Sequence, residues 1–360
     1  MRKVIVGFLL VISVMANSVW GQGTDEPFNR VATSAAHFLK FGVGGRAVAL
    51  GGAQVAVSGD VHALYWNPAG IAPIRSSSFS VSYMDYVVGI SHNFIGFVQP
   101  IDVESAFGVS VIYLDSGDIE VTTVAQPEGT GTYYDVNNLA IGLTYAKYIT
   151  DRFTGGVTLK YIQEGIWREK AQTVAFDIGS VLDTGLLGIR LGMSLSNFGG
   201  NMKLTGPDLD FDADRDKDNP GERSVPSRME TDEWPLPLIY RIGFTTDLVG
   251  IGGQLAESAD SRLTLLFDAN DPNDAELRPS MGLEYEWRDI LSLRLGGVVK
   301  YRDKWSTEEQ EGEWSSRLYW SLGAGLNWEQ EWGTIRFNYA VADYEQFGTT
   351  VSHYSLGISF

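Results

Sequence analysis

Between Pro207 and Asp218, six aspartates recur at every second position: Asp208, Asp210, Asp212, Asp214, Asp216 and Asp218. On an extended chain this spacing puts the carboxylates on one side; in a tight turn it rings them. Hard oxygen donors so arranged suit Ca²⁺. The EF-hand pattern fails, because Asn219 stands where a glycine should follow Asp214-x-Asp216-x-Asp218, and no Glu occupies the twelfth position. The run is therefore either a Ca²⁺ candidate or a solvated acidic surface loop, and with Trp234 and Pro235 beyond it the loop also suits docking of a protein. Other chemistry is sparse. The four histidines, His37, His62, His92 and His353, match no zinc spacing. His92 and His353 stand next to Ser91 and Ser352, but sequence neighbours on a strand point to opposite faces, so neither pair is a catalytic dyad. No Gly-x-Ser-x-Gly elbow occurs. With no Cys there are no disulfides, thiolate metal sites or Cys nucleophiles. No catalytic residue and no cofactor are expected.

The elements around these residues follow from composition and pattern. The 360 residues carry 27 basic and 45 acidic side chains, a net charge of −18, which opposes a phosphate-rich partner and argues against nucleic acid. The mean hydropathy is near zero. Beyond the N-terminus no apolar run approaches the roughly 18–20 residues of a membrane helix. A membrane β-barrel stays open, because its strands alternate apolar and polar residues. At the N-terminus, Arg2 and Lys3 precede the apolar run Val4–Val14 and the small, polar stretch Met15–Gly21. This is the pattern of a secretory signal with cleavage near Gly21, so residues 1–21 are expected to be removed on export. No Cys follows the apolar run, so lipoprotein anchoring is excluded.

From about residue 76 onward the period is two rather than 3.6. In the last segment Tyr354, Leu356, Ile358 and Phe360 share one parity and His353, Ser355, Gly357 and Ser359 the other, with Val351 breaking the pattern at its start. Fourteen such segments are predicted, near 77–86, 92–101, 104–115, 136–149, 152–164, 171–182, 187–198, 236–247, 260–269, 277–287, 290–302, 316–329, 332–343 and 350–360. The links alternate in length. Those at Asp102-Val103, Thr150-Asp151, Asp183-Thr184, Arg288-Asp289 and Gln330-Glu331 are short, and those at about 116–135, 199–235 and 303–315 are long. Short turns on one rim and long loops on the other are the signature of an outer-membrane barrel. An even strand count puts both ends in the periplasm. The stretch from Val249 to Ala259 breaks the rule and predicts a longer strand, a bulge or a small excursion.

The polar parity collects charge: Lys160, Arg190, Arg241, Arg294, Lys300 and Arg336, with Asp177, Glu284 and Glu286. Charge facing lipid near the midplane costs about 2–4 kcal/mol per basic side chain, so these face the lumen. They form either a network of ion pairs or a charge-selective pore lining. Tyr83 and Tyr86, Tyr145 and Tyr148, Tyr285 and Trp287, and Trp328 and Trp332 stand at strand ends, as interfacial girdles require. The alternative is a soluble β-sandwich or propeller; the signal, the loop asymmetry and the terminal aromatic Phe360, which resembles an outer-membrane assembly signal, weigh against it.

Residues 22–75 precede the barrel. Gly42, Gly44, Gly45, Gly51, Gly52 and Gly59 make the latter part too glycine-rich for a long helix, yet it is too apolar for a linker. A barrel of about fourteen strands has a lumen its own side chains cannot fill, and a compact plug would fill it. Here the residues resemble a family. Gly44-Gly45-Arg46-Ala47-Val48-Ala49-Leu50-Gly51-Gly52-Ala53, followed by Ala63-Leu64-Tyr65-Trp66-Asn67-Pro68-Ala69-Gly70, is similar to the N-terminal signature of the PorV/PorQ group, within the wider FadL-like family of fourteen-stranded outer-membrane barrels. The resemblance implies that residues 22–75 are a hatch in the lumen. In it Asn67 would hold a backbone turn, Pro68 would fix φ, and Arg46 would pair with lumen carboxylates. The family's usual Asp-Asp is here Ser58-Gly59-Asp60, leaving Asp60 alone to serve that turn.

Two functions follow from the resemblance. A PorV-like protein is an accessory or shuttle of type IX secretion in the outer membrane of a Gram-negative-type bacterium. It docks exported cargo through extracellular loops after insertion by the barrel-assembly machinery. A FadL-like protein takes up a hydrophobic small molecule such as a long-chain fatty acid and releases it sideways through the wall. Phe38, Phe41, Leu50, Leu64, Tyr65 and Trp66 could line its pocket or simply pack the hatch.

Overall fold

The computed structural model describes residues 33–213, 225–301, 316–344 and 349–360. The signal segment, Asp214, Asp216 and Asp218 lie outside the described residues, as does the Lys300 side chain. Among them, fourteen strands form the ring: β1 Ser78–Asp85, β2 Ser91–Pro100, β3 Ser105–Asp115, β4 Val136–Thr150, β5 Phe153–Ile166, β6 Glu169–Asp183, β7 Arg190–Gly199, β8 Ile239–Gly250, β9 Ser261–Pro272, β10 Arg278–Trp287, β11 Leu291–Tyr301, β12 Ser316–Gln330, β13 Gly333–Tyr344 and β14 Thr349–Ser359. Each boundary falls within three residues of that expected from alternation. Every strand pairs antiparallel with its chain neighbour, and β14 returns to β1 with Ser78 opposite Ser359. The ring is closed, so none of its fourteen strands is an edge strand. Phe360 N donates to Ser77 O at 2.9 Å, so the first and last strands begin and end on one rim.

Period two becomes inside and outside. On β10, Ser280, Glu284 and Glu286 are buried while Met281, Leu283, Tyr285 and Trp287 are exposed. On β14, Val351, His353, Ser355 and Ser359 are buried and Tyr354 and Leu356 exposed, which explains why Val351 broke the pattern. An apolar outer face with a polar inner one is what lipid outside requires. The rim bearing the chain ends has short links, although the turn expected at Asp183-Thr184 runs on to Ile189, with Thr184 N donating to Ile189 O at 3.1 Å. The irregular link after β8 combines all three expected features. The strand runs three residues further, the register shifts between Asp247 and Val249, and Ala256–Glu257 returns to pair parallel with Val249–Gly250.

Residues 33–75 contain no strand. Short helices replace it: 3₁₀ turns at His37–Lys40 and Pro68–Ile71, α1 at Gly45–Ala49 and α2 at Ala63–Trp66. None reaches the roughly 12–15 residues at which a helix holds itself in water, so tertiary packing must hold them. The segment meets strands around the ring. Ser194 Oγ on β7 donates to Trp66 O at 3.0 Å, Gly45 N donates to Ser355 Oγ on β14 at 3.2 Å, and Gly51 N donates to Ser321 Oγ on β12 at 3.1 Å. Approach is close enough to need glycine on the wall: a Cβ on Gly192 would lie 2.3 Å from Val55 O, and one on Gly296 would lie 2.2 Å from Gly51 N. The apolar core joins Phe38, Leu39, Leu64, Tyr65, Trp66 and Ile71 of the segment to inward residues such as Phe94, Ile112 and Ile162.

Candidate functional site

The site is the barrel interior, where the N-terminal segment stands between two cavities. The turn of the family-like motif is built by Asn67. Its Oδ1 accepts from Ala69 N at 3.1 Å, and its Nδ2 donates to Val55 O at 2.7 Å and to Ser180 O on β6 at 3.0 Å. Pro68 opens the following 3₁₀ turn, where its missing N–H costs nothing. Trp66 Nε1 donates to Val43 O at 3.0 Å, tying α2 to the residues just before α1. Ala69 and Gly70 are buried behind that turn, and a Cβ at Gly70 would meet Val57 O at 2.8 Å. Gly51 has φ of +69° where α1 ends, and a side chain there would run into the Gly297 backbone. Gly44 and Gly52 also have positive φ.

Electrostatics fasten this segment to the wall. Arg46 on α1 reaches Glu284 on β10 with Nε at 3.0 Å and Nη2 at 2.6 Å, and Arg294 on β11 reaches the same carboxylate with Nε at 2.6 Å. Arg294 Nη1 then donates to Asn338 Oδ1 at 2.8 Å. Burial disfavours the Arg46 charge, but Glu284 and Asp60 outweigh it and hold the guanidinium more firmly protonated than usual. Asp60 lies 3.7 Å from Arg46 and accepts from His62 N at 2.9 Å. Burial alone would raise its carboxyl; His62 first and Arg46 next hold it well below the usual carboxylate range. Asp60 is thus held between the His62 backbone and the Arg46 guanidinium.

The other sequence-selected charges separate into local pairs. Lys160 Nζ contacts Asp177 at 2.6 Å and Asn197 Oδ1 at 2.9 Å. Glu286 is bound by Arg262. Arg336 Nη1 donates to Ser359 Oγ at 3.3 Å. Arg241 donates to Ser196 Oγ at 2.9 Å and lies 5.4 Å from both the Tyr65 and the Trp66 ring centres, a doubled cation–π contact. Arg190 lines the inner cavity without joining the Glu284 cluster.

Sequence reasoning passed over two carboxylates. Asp268 on β9 accepts Gln54 N at 2.7 Å and Val55 N at 2.8 Å, and its inward parity between Leu266 and Asn270 was the available signal. Asp274, in the link after β9, receives Lys40 Nζ at 2.6 Å and the Ser34 hydroxyl. Nothing local marks Asp274, because its partners are 234 and 240 residues away. Burial opposes both charges of the Lys40–Asp274 pair and lowers the Lys40 amine. The bonds from Lys40 and Ser34 still hold the Asp274 carboxyl below its ordinary value.

The inner cavity, of about 390 Å³, is polar and lies toward the rim with the chain ends; Arg46, Asp60, Arg190, Glu286, Arg294 and Arg336 line it. The outer cavity is larger, about 600 Å³, and mixes aromatic walls from Phe41, Tyr65, Trp66, Tyr86 and Tyr344 with Arg241 and Arg278. Of the six residues expected to line a pocket, Phe41, Tyr65 and Trp66 do so, while Phe38, Leu50 and Leu64 are fully buried in the packing. Two residues expected in the girdles turn inward. Tyr86 packs against Phe41 at 5.0 Å, and Tyr148 sits under Arg75 at 5.6 Å. Both follow the inward parity of their strands, Tyr86 with Met84 and Tyr148 with Thr144 and Ala146. Tyr83, Tyr145, Tyr285, Trp287, Trp328 and Trp332 are exposed as the girdles require.

The aspartate run starts as a 3₁₀ turn at Pro207–Leu209 and continues as a strand, Asp210–Ala213, paired with Val225–Arg228. Asp208 is engaged by Arg168, and Asp210 by Arg228 at 2.6 and 3.0 Å. Asp212 is exposed. Among the described residues no group of three or more His, Asp or Glu converges as a metal would need.

Residues 24–182 match the family model of the type IX secretion system protein PorV. No curated protein matches the chain. Among solved structures, the CymD monoaromatic hydrocarbon channel is 13% identical with a TM-score of 0.55, covering 91% of this chain and 99% of that one. The toluene transporter TbuX of Ralstonia pickettii is 12% identical with a TM-score of 0.50, over 88% and 97%. A FadL homologue of Pseudomonas aeruginosa is 13% identical with a TM-score of 0.50, over 88% and 98%. At such identities the structural likeness speaks to the fold. The chain has the closed, fourteen-stranded antiparallel barrel fold of these proteins, and its residues 24–182 are similar to PorV.

Proposed function

We propose that this barrel is an accessory or shuttle component of type IX protein secretion, receiving exported proteins on its long-loop rim. On this reading residues 1–21 are a cleaved signal and residues 22–75 a hatch. Both chain termini face the periplasm, Phe360 is read by the barrel-assembly machinery, and the exposed apolar parity faces outer-membrane lipid. The observation that carries the reading is the match of residues 24–182 to the PorV model, which spans the Gly44–Gly70 motif and β1–β6. A shuttle needs no catalytic group and no continuous pore, and a segment clamped at Glu284, Asp268, Ser321 and Ser355 suits that task.

A second reading, uptake of a hydrophobic small molecule, draws on the outer cavity and its aromatic walls. Both readings are tested in one gene-deletion strain by measuring surface display of exported proteins and uptake of a labelled hydrophobic compound. Loss of display with intact uptake supports the shuttle. Intact display with lost uptake overturns it in favour of transport.

A further inference from the structure

Away from the charged network, three side chains of a different character meet on the inner wall. Met84 on β1 stands directly opposite His92 on β2 and, on its other side, directly opposite His353 on β14. All three are buried, at 1%, 2% and 2% exposure, on the inward parity. Neighbouring strands lie about 4.8 Å apart, so the two histidine backbones flank the methionine at a separation of roughly 10 Å. On the concave inner surface of a barrel their side chains converge over it.

The imidazoles are poised as donors of electron pairs. Each has a buried Nε2 with no hydrogen-bond partner. A neutral imidazole carries its proton on one ring nitrogen and offers a lone pair on the other, and here no protein group competes for Nε2. The Phe41 ring lies 5.6 Å from His92, and Phe41 also lines the outer cavity. The Phe41 side chain therefore stands between His92 and the outer cavity.

The donor set decides the ion. It holds two neutral imidazoles and a thioether, and among the described residues no carboxylate group completes a cluster there. A divalent ion would keep its charge uncompensated in an apolar surrounding, and that penalty grows as the square of the charge. Thioether and imidazole together select soft ions, monovalent copper above all. We propose that Met84, His92 and His353 form a binding site for a soft monovalent cation of the cuprous class, filled from the outer cavity past Phe41. None of the three ligands has to lose a proton, and the ion binds without changing oxidation state.

The test uses the purified full chain in detergent with Ag⁺ as a redox-inert probe, and Cu⁺ under a reductant. Bound metal is measured by elemental analysis and affinity by competition. The expected result is one Ag⁺ per chain displaced by Cu⁺, with affinity reduced at least tenfold in Met84→Leu and His353→Phe. Met281→Leu, on the outer face of β10, should bind as the wild type does. Each variant is first checked for the faster migration of unheated barrel on a detergent gel; should His353→Phe fail to close, Met84→Leu alone decides. Absence of Ag⁺ binding, equal affinity in Met84→Leu, or uptake of Zn²⁺ at the same stoichiometry would each overturn the proposal.

Discussion

Glu284 is the place where one substitution separates the wall from what it encloses. Its carboxylate has no exposure and accepts three bonds from two guanidiniums, Arg46 at 3.0 and 2.6 Å and Arg294 at 2.6 Å. Glu284→Gln keeps the shape and removes the charge, leaving two buried cations facing an amide. Breaking a buried ion pair by removing one partner costs about 3–5 kcal/mol. Asp60, 3.7 Å from Arg46, and the polar inner cavity offset part of this, so we expect a loss of about 2–3 kcal/mol, below the lower end of that range. The loss falls on α1, because β10 is held in the ring by backbone hydrogen bonds that the substitution leaves in place. At a factor of ten per 1.4 kcal/mol, opening of residues 45–53 should become about 30- to 140-fold more frequent. Hydrogen–deuterium exchange with peptide-level mass spectrometry reads this directly, with residues 77–100 of the wall as internal reference. Exchange of 45–53 raised less than threefold in a closed barrel, or raised equally in both peptides, would refute the reasoning.

Other substitutions probe the same architecture. Asn67→Ala removes three hydrogen bonds at about 1 kcal/mol each, so exchange across residues 63–71 should rise by one to two decades at about 1.4 kcal/mol per decade. Gly179→Ala places a Cβ 2.0 Å from Asn67 Oδ1, an overpacking worth about 1–3 kcal/mol; the same peptide should loosen while gel mobility of the folded barrel is kept. Arg262→Met should cost under about 1 kcal/mol, measured as the midpoint of denaturant unfolding, because Arg262 is 46% exposed. Asp274 has its folded pKa lowered by Lys40 and Ser34 despite burial. Its contribution is therefore present above its unfolded pKa of about 3.9 and lost as pH falls below that. Exchange at residues 34–41 should accelerate on acidification through this range in the wild type, and Asp274→Asn should be already loosened and flat with pH.

Much of the wall was legible because alternation is local. An outer face and a crowded interior claim alternate residues, so Leu283, Tyr285 and Trp287 declare the outside and Glu284 and Glu286 the inside without reference to the rest of the chain. The Asn67-Pro68 turn was expected from the family resemblance, and its bond is itself local: Oδ1 accepts from Ala69, two residues on. Tyr86 and Tyr148 were misjudged because an aromatic ring at a strand end was read as a girdle residue against its parity, which points inward with Met84 and Ala146.

What the amino-acid sequence determined by itself was the set of strands, their links, and the face each residue takes, since these depend on neighbours within a few positions. What only the tertiary structure decided was partnership. Arg46 meets Glu284 across 238 residues, Gln54 and Val55 meet Asp268, and Met84 lies between His92 and His353 because closure sets β14 beside β1. Parity says that a side chain points inward; the register and closure of the ring say what it finds there.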